Sequence, residues 1–159
     1  AIRESADVIV DTSALNIHQL ATRIMELFRG EGDARHTVTV MSFGFKYGLP
    51  TDVDLVADMR FLPNPFWVPA LKSLTGEDAS VREYVLEQQG ALEFIDAYAT
   101  ALRPVLEGYQ RENKQHSVVA VGCTGGKHRS VVTVIELARR LSDLPGVAVR
   151  VKHRDLGRE

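Results

Sequence analysis

The densest chemistry in the chain lies in one run, Gly122-Cys123-Thr124-Gly125-Gly126-Lys127-His128-Arg129-Ser130. Two adjacent glycines let a backbone turn tightly and aim successive N–H groups at one point. Lys127, His128 and Arg129 add side-chain donors, and a guanidinium can grip a phosphate through two parallel hydrogen bonds. An apolar stretch precedes the run and a helix-period pattern follows it. A helix opening there would turn its unsatisfied N–H groups and the positive end of its dipole to the same place. The expected ligand is a phosphate or a similar dianion.

The same run reads Cys-x-x-Gly-x-x-Arg-Ser and resembles the phosphate loop of the cysteine-dependent phosphatases. That likeness implies a Cys123 thiolate attacking phosphorus while Arg129 holds the oxygens. Such enzymes also need an aspartic general acid from another loop. Asp52, Asp54 and Asp58 are available, and spacing does not choose among them. A plain anion receptor and a phosphatase therefore both remain open at this point.

The elements that must position this run follow from periodicity. Asn16 and Gln19 form a capping pair for a helix carrying Ile17, Leu20, Ile24, Leu27 and Phe28, which Gly30 and Gly32 should end. Val8, Ile9 and Val10 suggest a short strand before it, and residues 30–35 a linker. Period-two alternation predicts a strand over 37–43 and another over 55–61. Ser80 and Glu83 suggest a capping box. A helix is expected over 91–106, ended or kinked by Pro104. Residues 117–122 read as a buried parallel strand, 130–141 as a helix and 147–151 as a last strand. Strands alternating with helices imply an α/β layered, Rossmann-like fold with a mainly parallel sheet. In such sheets ligands bind outside the carboxyl ends of the strands, where the 123–129 turn would sit.

Composition narrows the classes. The 159 residues are 45% hydrophobic and 25% charged, with a net charge of −2, which suits a folded domain and excludes a uniformly basic nucleic-acid binder. Yet residues 116–159 carry 8 basic and 4 acidic side chains, so an anionic partner is expected there. Arg150, Lys152, His153, Arg154 and Arg158 make a basic tail that could follow an RNA backbone. One cysteine excludes an internal disulfide and a cysteine-rich zinc site. No metal site is expected; His18, His36 and His116 are read as solvated. No membrane span or signal peptide is apparent, and a cytoplasmic protein is expected. The chain opens without Met and is expected to be part of something longer.

Several separated motifs agree with one family. The runs Ser42-Phe43-Gly44-Phe45-Lys46-Tyr47-Gly48-Leu49-Pro50, Asp58-Met59-Arg60-Phe61-Leu62-Pro63-Asn64-Pro65, Leu74-Thr75-Gly76, the 122–130 run and His153-Arg154 occur in the order seen in the C-terminal domain of the RapZ/YvcJ family. The chain resembles that domain over about residues 36–156. Residues 1–35 resemble the last strand and helix of the family's N-terminal nucleotide-binding domain plus a linker, leaving 36–159 as the C-terminal domain.

The resemblance implies a phosphosugar-binding regulatory domain with no catalytic residue. Its ligand would be an amino-sugar phosphate such as glucosamine-6-phosphate. It also implies an ATP- or GTP-binding P-loop domain elsewhere in the whole protein, with small RNA and an endoribonuclease as partners, and a homo-oligomer is expected. No Gly-x-x-x-x-Gly-Lys-Ser/Thr run occurs here, so no cofactor is expected within this chain. Carried over, Thr124, Gly125, Gly126 and Arg129 would hold the phosphate, with Cys123 at the loop base, and Lys127, His128 and Ser130 of the same run are further ligand-binding candidates. Lys46 adds a second charge, and Asp58 and Arg60 meet the sugar's amine and hydroxyls. Phe66 stands where some family members have His, and it cannot donate a hydrogen bond.

Overall fold

A computed structural model describes residues 9–28 and 34–158. The chain divides into two compact units, Ala1–Asp33 and Ala34–Glu159. In the first, α1 (Ile17–Phe28) starts at the expected pair. Asn16 Oδ1 accepts the Gln19 N–H and Gln19 Oε1 accepts the Asn16 N–H, both at 2.9 Å, so two otherwise orphaned donors are satisfied reciprocally. Ile9 and Val10 are not in a strand. No other strand occurs among the described residues of this unit, and an extended segment without a partner leaves its backbone groups unpaired. Val8, Gly30 and Gly32, invoked for the strand and the helix end, lie outside the described residues.

The second unit runs β1 (His36–Gly44), β2 (Leu55–Asp58), α2 (Ala79–Glu87), α3 (Ala91–Arg111), β3 (His116–Cys123), α4 (Arg129–Leu141) and β4 (Val147–His153). The sheet order is β2-β3-β1-β4, and every pairing is parallel. The fold is thus an α/β layered one, as the alternation predicts. Register brings the carboxyl ends together: Gly44 lies opposite Cys123, Asp58 opposite Gly122 and Ser42 opposite His153. Val38 and Val40 of β1 and Val119 and Val121 of β3 are fully buried in the central strands. They share one core with Val81 and Val85 of α2, Leu102 and Leu106 of α3, and Val134, Leu137 and Leu141 of α4, and Ile95 of α3 is also fully buried. These apolar positions recur at three and four residues, the stripe a helix needs to face a sheet.

Four local departures from expectation have physical causes. β2 stops at Asp58 because its carboxylate captures the Arg60 N–H at 2.9 Å, a side-chain turn that replaces the strand ladder. α2 begins at Ala79 after Asp78, so the Ser80–Glu83 box does not define its start. Asp78 turns back instead and accepts the Thr75 N–H at 2.8 Å. α3 continues through Pro104 to Arg111. Pro104 and Thr100 are on the exposed side, where the carbonyl that loses its donor can bind water, while buried Leu102 and Leu106 hold both flanks. His36 is not solvated: it is buried, with Nδ1 2.6 Å from Lys114 O and Nε2 2.6 Å from Ser117 Oγ.

Candidate functional site

The 123–129 turn joins the end of β3 to the start of α4 and is pressed against the end of β1. A Cβ on Gly44 would lie 2.5 Å from the Gly125 carbonyl carbon, and one on Gly126 would lie 2.7 Å from Gly44 N. Gly126 also has φ +73°, a conformation glycine adopts without strain. The Lys46 N–H donates to Thr124 O at 3.1 Å, and the Gly76 N–H to Lys127 O at 2.8 Å. A Cβ on Gly76 would meet His128 O at 2.6 Å. The Leu-Thr-Gly motif therefore buttresses the turn from behind.

A cleft of about 310 Å³ opens here, lined by Lys46, Asn64, Phe66, Trp67, Cys123, Thr124, Gly125, Lys127, His128 and Arg129. Arg129 is its central charge and is only 4% exposed. Nη1 donates to Leu62 O at 2.8 Å and, more weakly, to Arg60 O at 3.4 Å, while Nη2 donates to Thr124 Oγ1 at 3.2 Å. Among the described residues no carboxylate pairs with it, and the buried Nε has no hydrogen-bond partner. A buried guanidinium held by neutral oxygens keeps its positive charge for an anion. Lys46 is exposed beside it, over the Tyr47 ring at 4.9 Å. The Lys127 Nζ donates to Lys72 O at 3.1 Å. Cys123 and Ser130 are buried at the turn's base, with Sγ and Oγ 3.1 Å apart.

Asp58 and Arg60 are placed differently. Arg60 Nε lies 3.0 Å from both Asp58 oxygens, and Nη2 lies 2.7 Å from Oδ2. That pair holds the Asp58 carboxyl below its ordinary value, against a smaller upward push from burial. The Arg60 guanidinium stacks over the Phe45 ring at 3.9 Å. Neither side chain is among the cleft-lining residues. The segment instead serves the site through its backbone, since the Arg60 and Leu62 carbonyls hold Arg129.

The basic tail divides in two. Arg150 and Lys152 are exposed on edge strand β4. His153 Nδ1 lies 2.7 Å from Ser42 Oγ. Arg154 and Arg158 each pair at 2.8 Å with Asp155, which is fully buried. Asp155 Oδ2 also accepts the Gly44 N–H at 2.8 Å, and Arg154 Nη2 donates to Gly48 O at 2.7 Å. The tail thus clasps the loop that carries Lys46 and the glycine that meets the turn. No short-range pattern in the sequence singles out Asp155, because its long-range partner, the Gly44 N–H, lies 111 residues away in the chain.

This clasp should be acid-sensitive. Burial pushes the Asp155 carboxyl up, but Arg154, the Gly44 N–H and Arg158 outweigh it and hold the group below its ordinary 3.8. A depressed native value means the unfolded chain binds the proton more readily. The stabilisation is therefore complete above the ordinary value and is lost as pH falls through it toward the native one. Urea unfolding from about pH 6 to about pH 3 should show stability falling, with a smaller fall in Asp155→Asn. An identical pH dependence in the variant would contradict this.

A second buried carboxylate ties the helices together. Burial raises the Glu136 carboxyl, yet Arg82 and Arg140 more than compensate and keep it low. Its oxygens reach Arg82 at 2.7 Å, Arg139 at 3.0 Å and Arg140 at 3.1 Å. This bridge between α2 and α4 steadies the helix whose N-terminus opens on the cleft.

Fold and cleft together define the class: a parallel α/β domain whose candidate ligand site lies at the carboxyl ends of its strands, under a glycine-rich β–α turn carrying a buried arginine. Within it the chain belongs to the RapZ C-terminal domain family, whose model matches residues 36–157. The chain is 68% identical over 158 residues to a nucleotide-binding protein of Leifsonia xyli subsp. xyli, covering 99% of this chain and 54% of that protein. It is 67% identical to a nucleotide-binding protein of Clavibacter michiganensis subsp. michiganensis, with the same coverage. With one of Renibacterium salmoninarum it shares 60%, covering 99% of this chain and 52% of that protein. The chain therefore spans about half the length of these relatives. Among the described residues no helix is long and apolar enough to cross a membrane.

Proposed function

We propose that residues 36–159 form a non-catalytic sensor domain that binds a phosphorylated amino sugar, of the glucosamine-6-phosphate type, in the 310 Å³ cleft. The observation that carries this reading is the buried Arg129, with no carboxylate partner among the described residues and one guanidinium N–H unmatched. The glycine turn and the α4 N-terminus favour an anion at the same point. Lys46 adds charge from the neighbouring strand end. Binding would bias the rest of the protein only through a difference in affinity between two of its states.

Titration calorimetry with glucosamine-6-phosphate tests the proposal. Saturable heat without release of phosphate is expected. Lys46→Ala, an exposed change that spares the fold, should weaken binding about threefold to tenfold. No measurable heat from the folded chain would refute the reading.

A cysteine-dependent phosphatase is the second reading, favoured by Cys123 at the cleft floor next to Ser130. Its difficulty is the general acid. Asp54 accepts the Val118 N–H at 2.8 Å and pairs with Lys114 at 3.2 Å; Asp58 is held by Arg60, and none of Asp52, Asp54 and Asp58 lines the cleft. Phosphate release abolished by Cys123→Ser would favour this reading over the sensor. Nucleotide binding, stated in the relatives' names, we assign to the part of the whole protein outside these 159 residues. For RNA, the tail residues not engaged by Asp155 or Ser42 are Arg150 and Lys152, so any RNA contact by this unit would centre on β4.

A further inference from the structure

One wall of the cleft carries no charge. It is built by Asn64, Phe66 and Trp67. Trp67 is 77% exposed and is the only tryptophan in the chain. It stands on a rigid turn. Pro65 is buried, Asn64 Oδ1 accepts the Phe66 N–H at 3.2 Å, the Trp67 N–H donates to Asn64 O at 3.1 Å and the Val68 N–H to Pro65 O at 2.9 Å. Phe66 props the indole edge-on at 5.2 Å and is itself capped by Lys72 Nζ at 4.6 Å.

A large ring held rigidly in water, beside Lys46, Lys127 and Arg129, has the form of a recognition surface. Ligand sites characteristically pair aromatic walls with a few placed polar groups. We infer that Trp67 is the platform on which the apolar C–H face of a monophosphorylated pyranose rests while its phosphate occupies the 124–129 turn. The inference rests on the sugar-phosphate reading and adds the side chain that would recognise the ring. A single ring is favoured because the cavity lies at the small end of the range for ligand pockets. It also supplies ring recognition at a place where Phe66 can donate no hydrogen bond.

The lone tryptophan makes the test direct. Glucosamine-6-phosphate, adenosine monophosphate and inorganic phosphate are titrated into the chain, with indole emission and heat both read. The sugar phosphate should bind tighter than inorganic phosphate and shift the emission saturably. Trp67→Ala should lose about tenfold in affinity for it, leave inorganic phosphate binding unchanged, and be largely rescued by Trp67→Phe. Equal sugar-phosphate affinity in Trp67→Ala would overturn the inference while sparing the anion site. Tighter, Trp67-dependent binding of the adenosine nucleotide would overturn the choice of a pyranose. Failure of all three to bind would defeat the anion reading and this inference with it.

Discussion

Arg129→Ala is expected to weaken glucosamine-6-phosphate binding about 100-fold or more. The side chain is a buried cation in the cleft whose partners are the Leu62 and Arg60 carbonyls and the Thr124 hydroxyl. None of these cancels its charge, so an arriving phosphate would meet a buried cation that no carboxylate among the described residues neutralises. The same deletion leaves the Leu62 carbonyl without its 2.8 Å donor, and a cost of about 1–3 kcal/mol in stability is expected. Arg129→Lys separates the two effects. It keeps a charge but loses the planar fork, so binding should fall less while remaining measurable. Calorimetry on the folded variants decides: wild-type affinity in Arg129→Ala would refute the site, whatever its stability.

Gly44→Ala should cost the fold several kcal/mol through a single added methyl group. Gly44 has φ −105° and ψ 125°, so alanine could adopt its backbone without strain. The obstacle is contact alone: the new Cβ would fall 2.5 Å from the Gly125 carbonyl carbon, 2.7 Å from its oxygen and 2.9 Å from Gly126 N. All three atoms are backbone and cannot rotate away. Relief would require the turn to retreat, loosening the Gly44 N–H bond to Asp155 and the Lys46 N–H bond to Thr124. A loss of roughly 2–4 kcal/mol is expected from urea unfolding, with weaker phosphate binding alongside. Gly108→Ala supplies the contrast. Its Cβ would meet only the flexible Arg111 Nη2 at 3.5 Å, inside a helix where alanine is preferred by about 1 kcal/mol. That variant should be more stable than the parent chain. Equal stabilities for Gly44→Ala and the parent would show that the strand end and the turn are not in close contact.

Much of the scaffold was legible because its causes are local. The Asn16–Gln19 pair caps α1 through neighbours three residues apart. The alternation over 37–43 and the apolar run over 117–122 became the two central strands because buried parallel strands need those patterns. Glycine pairs and cations between a strand and a helix marked the turn. Where local reading misjudged an element, a specific contact outweighed propensity. Asp58 closed β2 by taking the Arg60 N–H, and the exposed setting of Pro104 let α3 pass through it. His36 became a core residue because Lys114 and Ser117 meet it across the sheet.

The sequence by itself determined which residues could receive an anion and that they would lie on a strand-to-helix turn, since both follow from residue types and short-range periodicity. Only the tertiary structure decided how those charges are partnered. Parallel register sets Gly44 beside the turn, brings the Arg60 and Leu62 carbonyls to Arg129, and buries Asp155 between Arg154, Arg158 and the Gly44 amide. Arg154 and Arg158 reach Asp155 locally, but Gly44 meets the turn and Asp155, and Arg129 meets its carbonyls, from far along the chain, and those separations close only once the sheet has formed.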